Sequence, residues 1–165
     1  MLKHEAMKRI FGFTLFCLMV ISIQAQNQNV PQGYVDLGLP SGTLWKSSNE
    51  SGFYSFDDAK RRFGSKLPSF DQWLELTKHC EWSWTGSGYR VRATNGNFIV
   101  LPAFGSSNCD GSAIGAGEYG DYWVSDHSDD IWYDFVFDEL DNGHFDSGDN
   151  SEFFGCISVR LIWSE

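Results

Sequence analysis

The chain has 165 residues, a net charge of −10 and an aromatic content of 16%. That length allows one ordinary domain, large enough to fold without a metal or a disulfide as its support. The charge is lopsided: from Cys109 onward there are fourteen Asp or Glu and a single base, Arg160. An acidic half of this kind repels phosphate backbones and excludes nucleic acid as a partner.

The first element is a targeting segment. Lys3, Lys8 and Arg9 form a positive start, Ile10 to Ile23 an apolar run, and Ile23-Gln24-Ala25 a small-residue cleavage point. That order predicts a secretory signal peptide over residues 1–25. The apolar run is shorter than the ~20 residues of a spanning helix, so no membrane insertion is expected after cleavage. No lipobox precedes Cys17. The product is expected to be secreted, periplasmic or on the cell surface. Residues 26–33 are polar and read as a leader, followed by a single domain over 34–165.

Tyr34 to Leu39 and Thr43 to Trp45 read as short strands around a Pro40-Ser41-Gly42 turn. Phe56 to Phe63 is predicted helical, with Ser55 as N-cap, Asp57 and Asp58 in the first turn, basic residues in the last and Gly64 as the stop. A second helix runs from Phe70 to His79 behind Ser69, with Trp73, Leu74, Leu76 and Thr77 on its apolar face. From Glu81 onward the pattern is β. Trp82 and Trp84 alternate, and Tyr89 to Arg92 and Phe98 to Leu101 flank the hairpin turn Asn95-Gly96. Residues 105–121 read as a long loop. Tyr122 to Ser125 and Ile131 to Phe137 are strands, Leu140 to Glu152 another loop, and Cys156 to Trp163 a closing strand. The class is α+β: two short helices early, then a mostly antiparallel twisted sheet with long loops.

The order of motifs resembles a known family. Val35-Asp36-Leu37-Gly38-Leu39-Pro40-Ser41-Gly42-Thr43-Leu44-Trp45 is similar to the opening of the Fibrobacter succinogenes major paralogous domain family, abundant in exported proteins of Bacteroidota. Lys66-Leu67-Pro68-Ser69 with Trp73, the Trp82-Ser83-Trp84-Thr85 pair, Ile99-Val100-Leu101-Pro102-Ala103, Gly120-Asp121-Tyr122-Trp123-Val124-Ser125 and Ser158-Val159-Arg160 follow in the family's order. The likeness spans nearly all of residues 34–163. It implies a C-type-lectin-like fold in a short variant: only Lys46 to Tyr54 stand where members carry a long insertion. It also implies kinship with the formylglycine-generating branch of that fold. Fold likeness of this kind does not carry function.

The chemistry is that of a binding module. No Gly-x-Ser-x-Gly stands at a strand-to-helix turn, and the adjacent His79 and Cys80 point apart on a helix. The expectation is therefore a non-catalytic module for an extracellular glycan or protein. The alternatives are an accessory subunit of a surface assembly and, more remotely, an enzyme of the formylglycine-generating type. Asp126, Asp129, Asp130, Trp132 and Tyr133 are the candidate ligand residues, since one of Trp132 and Tyr133 should point outward from a strand. No cofactor is required. Calcium is the cation that Asp- and Gly-rich loops would hold, and Asp138, Asp141, Asp146 and Asp149 are its candidate ligands, although no calcium-loop spacing is present. Cys80, Cys109 and Cys156 remain after cleavage, so at most one bridge forms and one thiol is left. Spacing does not choose the pair; Cys109 and Cys156 are carried as the candidates. Trp45, Trp73, Trp84 and Trp163 are expected in the core.

Overall fold

A computed structural model describes residues 30–128, 131–149 and 155–164. The regular elements of the described residues lie in one compact unit, Gly33–Glu165. Strand β1 (Tyr34–Asp36) pairs antiparallel with β2 (Leu44–Lys46), and β2 pairs with β9 (Ile162–Trp163) near the other end of the chain. The Pro40-Ser41-Gly42 turn between β1 and β2 is held from outside. Glu75 accepts from both the backbone N–H and the hydroxyl of Ser41, at 2.8 and 2.5 Å.

Helices α1 (Phe56–Phe63) and α2 (Phe70–His79) occupy the predicted residues. Their start signals are local. The Ser55 hydroxyl accepts from the Asp58 N–H, and Ser69 and Gln72 form a reciprocal capping box. Gly64 closes α1 at φ 51°, a left-handed conformation that side-chain-bearing residues rarely adopt. Leu74, expected on the apolar face of α2, is 51% exposed; Trp73 and Leu76 alone are buried there. The helix lies against the sheet over one narrow stripe, and Leu74 falls a hundred degrees off it.

Strands β3 (Cys80–Trp84), β4 (Gly88–Ala93) and β5 (Phe98–Pro102) form an antiparallel meander. A second meander joins β6 (Tyr119–His127), β7 (Ile131–Asp138) and β8 (His144–Asp149). Two expectations are corrected here. Residues 140–152, read as a loop, contain β8. Its alternation is short and acidic, and the buried side of the strand is carried by Phe145 alone, which packs on Phe70 and Phe135. The loop 105–121 also gives way to structure: Gly105 to Ser107 form bridges, and β6 begins at Tyr119, three residues before the predicted start. The closing segment is likewise not one strand. Cys156 to Ser158 make isolated bridges, and only Ile162–Trp163 pairs as a strand. Every residue from Cys156 to Ile162 is buried, Ser158 and Arg160 included, and periodicity cannot tell such a segment from a strand in a sheet.

The β6–β7–β8 sheet separates two apolar clusters. On one face Tyr122, Val124, Phe135 and Phe137 meet β2, α2 and the β3–β4–β5 meander through Trp45, Trp73 and Leu101. On the other, Trp123 meets α1 and the closing segment through Phe56, Ala59, Ile157 and Val159. Successive residues of β6 therefore feed different clusters, as strand alternation requires. Trp163 is 41% exposed, against the expectation of burial: it ends β9 and its ring meets Tyr34 edge-on.

Candidate functional site

A cleft of about 630 Å³ opens among the described residues. One wall is the segment 47–53. It is laid along the closing segment by backbone bonds from Lys46 to Leu161, Glu50 to Val159 and Tyr54 to Ile157. The second wall comes from the end of β5, with Val100 and Pro102. The third is the loop 104–116, with Phe104, Ala113 and Ala116. That loop is anchored by paired backbone bonds between Ser106 and Ile114 and between Ser107 and Cys156. A disulfide joins Cys109 to Cys156, and among the described residues Cys80 is the free thiol. Gly105 is needed where it stands: at φ 65° a Cβ would run into the backbone of Ile114.

Arg160 lies at the floor of this cleft and is 0% exposed. Its guanidinium donates to the carbonyl of Lys46 at 2.6 Å and to that of Val100. In antiparallel pairing Val100 and Pro102 direct their backbone groups away from β4, so Arg160 satisfies a carbonyl on the free edge of β5. The Tyr122 hydroxyl does the same for Pro102, donating at 2.7 Å, and accepts from Asn49 Nδ2 at 3.0 Å. Burial pushes the Tyr122 phenol up to about 12, so it is a neutral donor at physiological pH. Burial also lowers the pKa of Arg160, with the Tyr122 hydroxyl opposing the shift. A guanidinium starts so high that it keeps its charge. Among the described residues no carboxylate lies within ion-pair distance of it.

The residues singled out from sequence lie elsewhere. Asp126 accepts from the Phe70 N–H at 2.8 Å and thereby caps α2. A bulge in β6 between Trp123 and His127 sets it there. Trp132 and Tyr133 are both half-buried: Trp132 stacks on Phe56 at 5.7 Å and Tyr133 meets Phe70 edge-on at 4.9 Å. Neither points free into solvent, because helices cover both faces of this sheet end. Trp123, also placed near the acidic loops, is wholly buried. Asp129 and Asp130 lie outside the described residues. Asp138 and Asp141 tie down their own turn by accepting backbone N–H bonds, and Asp141 also holds His144 at 2.8 Å. Asp146 stands on β8 opposite Asp134, and Asp149 ends that strand. Among the described residues no three His, Cys, Asp or Glu converge as a cation site.

The chain was compared with family models, curated proteins and solved structures, and it matches none.

The sheet face that carries Trp123 also holds a buried acid pair, which the sequence reading passed over. Asp121 and Asp134 are 5% and 6% exposed and share a hydrogen bond. Burial raises both pKa values, and for Asp121 the neighbouring carboxylates of Asp134 and Asp146 raise it further. Asp121 Oδ1 is buried without a partner. A carboxyl whose folded pKa is raised stabilises the fold fully below its unfolded value of about 3.9, and that contribution is lost as pH rises through the folded pKa. Asp121→Asn gives a neutral donor toward Asp134 at every pH. The expected result is a higher stability than that of the native protein at neutral pH, because one buried carboxyl no longer has to ionise there, and a flatter fall in stability with rising pH. Thermal melts of both proteins from acid to neutral pH check this, and parallel curves would refute it.

Cys80 offers no nucleophile at neutral pH. Burial, with help from the Glu75 carboxylate, pushes its thiol up to about 11. No described helix is long and apolar enough to cross a membrane. The cleft draws on four separate stretches of chain, so no local motif announces it. Its one sequence signal is a lone base, Arg160, inside the apolar run Ile157 to Trp163.

Proposed function

We propose that the protein is an exported or cell-surface binding module of C-type-lectin-like fold that takes its ligand in the cleft above Arg160. The cleft itself carries this reading: its size suits a small ligand or a few residues of a larger one. Its walls combine apolar surface from Phe53, Val100, Pro102 and Phe104 with polar groups from Ser47, Asn49 and Ser51. This mixture suits recognition of a protein segment or a glycan unit. Among the described residues no His or Cys lines it, which favours binding over proton or group transfer there. Two early helices and three antiparallel sheets are compatible with the lectin-like architecture that the motif order implies. The amino-terminal segment supplies the export reading, with delivery to the periplasm, the surface or the medium. On this reading the ligand site is the cleft rather than the Asp126–Tyr133 region.

A second reading, an accessory subunit of a surface assembly, has one observation in its favour. Phe104 and Ile114 are 49% and 46% exposed on the loop that walls the cleft, a surface that a protein partner would cover. Peptide and glycan arrays, each with and without calcium, separate the possibilities. The expected result is retention on one array that Ala116→Trp abolishes, because Ala116 is exposed and faces the cleft. Equal retention by the variant would move the site away from the cleft.

A further inference from the structure

Trp163 stands apart from the other six tryptophans: they are buried or half-buried, and it is 41% exposed. The end of β9 sets it there. Ile162 turns into the core, so the next residue faces outward. The ring meets Tyr34 edge-on at 6.1 Å and the backbone pairs with Leu44, so a strand presents the indole. Beside it lies a hollow of about 240 Å³ lined by Ser65, Lys66, Ile162, Trp163 and Ser164. It shares no residue with the cleft above Arg160. Both lining segments are anchored. The 3-10 turn Gly64–Lys66 is closed by a bond from the Leu67 N–H to the Gly64 carbonyl, and Leu67 is buried in the same cluster as Leu161.

The groups that a ligand reaches define its chemistry. Ser65, Lys66, Trp163 and Ser164 are all exposed. Among the described residues the Lys66 ammonium has no ion-pair partner. One flat aromatic ring therefore stands beside two hydroxyls and an ammonium. A pyranose has the matching surfaces: C–H groups on its face, which lie on an aromatic ring, and hydroxyls around its edge. A purely apolar group would strip water from the polar side chains without replacing its hydrogen bonds. A negative ligand gains little here, since the chain carries −10 and Glu165 follows Ser164. The hollow is smaller than the roughly 300–1,000 Å³ of sites for drug-sized ligands, which suits a single sugar unit.

We propose that Trp163, Lys66, Ser65 and Ser164 form a second site, for one neutral pyranose unit of a glycan. The sugar stacks on the indole, Lys66 donates to one of its hydroxyls, and the two serines bond to others. One stacked unit binds too weakly to survive the washing of an array, so the site is read in solution.

Nitrogen-15 NMR of the folded protein, titrated with the methyl glycosides of glucose, galactose, mannose, N-acetylglucosamine and galacturonic acid, tests this. The indole N–H signal of Trp163 is identified by its loss in Trp163→Phe. A saturable shift of that signal is expected with at least one neutral glycoside. Trp163→Ala is expected to abolish binding, read at the backbone amides of Ser65 and Lys66. Lys66→Met is expected to weaken it about threefold to tenfold, the worth of one hydrogen bond. Ala116→Trp, which obstructs the cleft, is expected to leave the affinity unchanged. The absence of a saturable shift at Trp163 with every neutral glycoside overturns the proposal, and this native-protein result decides the matter even where Trp163→Ala fails to fold. Tighter binding of the galacturonic acid glycoside than of the galactose one overturns the choice of a neutral unit. Loss of binding in Ala116→Trp would assign the sugar to the cleft and overturn the second site.

Discussion

Trp73→Ala is expected to cost about 3–5 kcal/mol, the range for deleting a buried aromatic side chain. Trp73 is 0% exposed and joins three parts of the fold. Its ring stacks on Phe135 of β7 at 4.4 Å, meets Trp45 of β2 edge-on at 4.8 Å and reaches Tyr122 of β6 at 5.7 Å. No small rearrangement fills the hole, since α2, β2 and two strands of the central sheet would all have to close on it. A domain of this size has about 5–15 kcal/mol of net stability, so the loss takes a fifth or more of it. Trp73→Phe should cost less than Trp73→Ala. It keeps much of the stacking and removes an indole N–H that is buried without a partner. Leu74→Ala, one residue on and 51% exposed, is the control and should stay within about 0.5 kcal/mol. Urea unfolding of the three variants measures the ranking. A loss for Trp73→Ala no larger than for Leu74→Ala would mean that α2 does not dock as described.

The same helix shows what the sequence makes legible. Ser69, Gln72 and Trp73 announce its start, its cap and its buried face within five residues. Ser55 and Gly64 bracket α1, and Asn95-Gly96 marks the β4–β5 hairpin, because caps and tight turns are decided by neighbours in sequence. Legibility ends where the deciding neighbours are remote. The segment containing β8 reads as an acidic loop, and it is a strand because β7 pairs with it and Phe70 and Phe135 cover Phe145. Trp132 and Tyr133 invite a recognition role, and the helices that cover them cannot be placed from the strand itself. Asp126 has the chemistry of a ligand group and the job of a helix cap. The cleft is the extreme case. Arg160 is visible in sequence as a lone base among apolar residues. What it holds together, Lys46 from β2 and Val100 from β5, is set by the fold as a whole. The buried pair Asp121 and Asp134 follows the same rule: each looks like part of an acidic surface until the register of β6 and β7 puts both on one covered face.

Opening the bridge between Cys109 and Cys156 is expected to cost about 4 kcal/mol, the loop entropy released when residues 47 apart are no longer tied in the unfolded chain. The local geometry makes the native state depend on it as well. Cys109 has φ 63°, a left-handed conformation that costs a residue with a Cβ roughly 1–2 kcal/mol. The bridge and the paired backbone bonds between Ser107 and Cys156 hold it there. Cys156 is buried and leads straight into Ile157, which bridges to Tyr54, and Ser158, which bridges to Tyr122 of β6, so one end of the tie is rigid, while Cys109 sits on the exposed loop that walls the cleft. Release should therefore act on the two ends unequally. The loop 104–116 should loosen first, with the closing segment still packed on Trp123 through Ile157 and Val159. The paired variant Cys109→Ser with Cys156→Ser is expected to unfold at lower urea and to show faster amide exchange at Ser106 and Ile114 than at Ile157. It is also expected to bind cleft ligands more weakly, since Ala113 and Ala116 move with the loop. A loss of stability with unchanged exchange at Ser106 and Ile114 would place the effect wholly in the unfolded chain and leave the cleft wall independent of the bridge. Unchanged stability would show that the two sulfurs are not joined in the folded protein. An oxidising compartment keeps such a bridge closed. Under the proposed export, the wall of the cleft is set firmly only in that compartment.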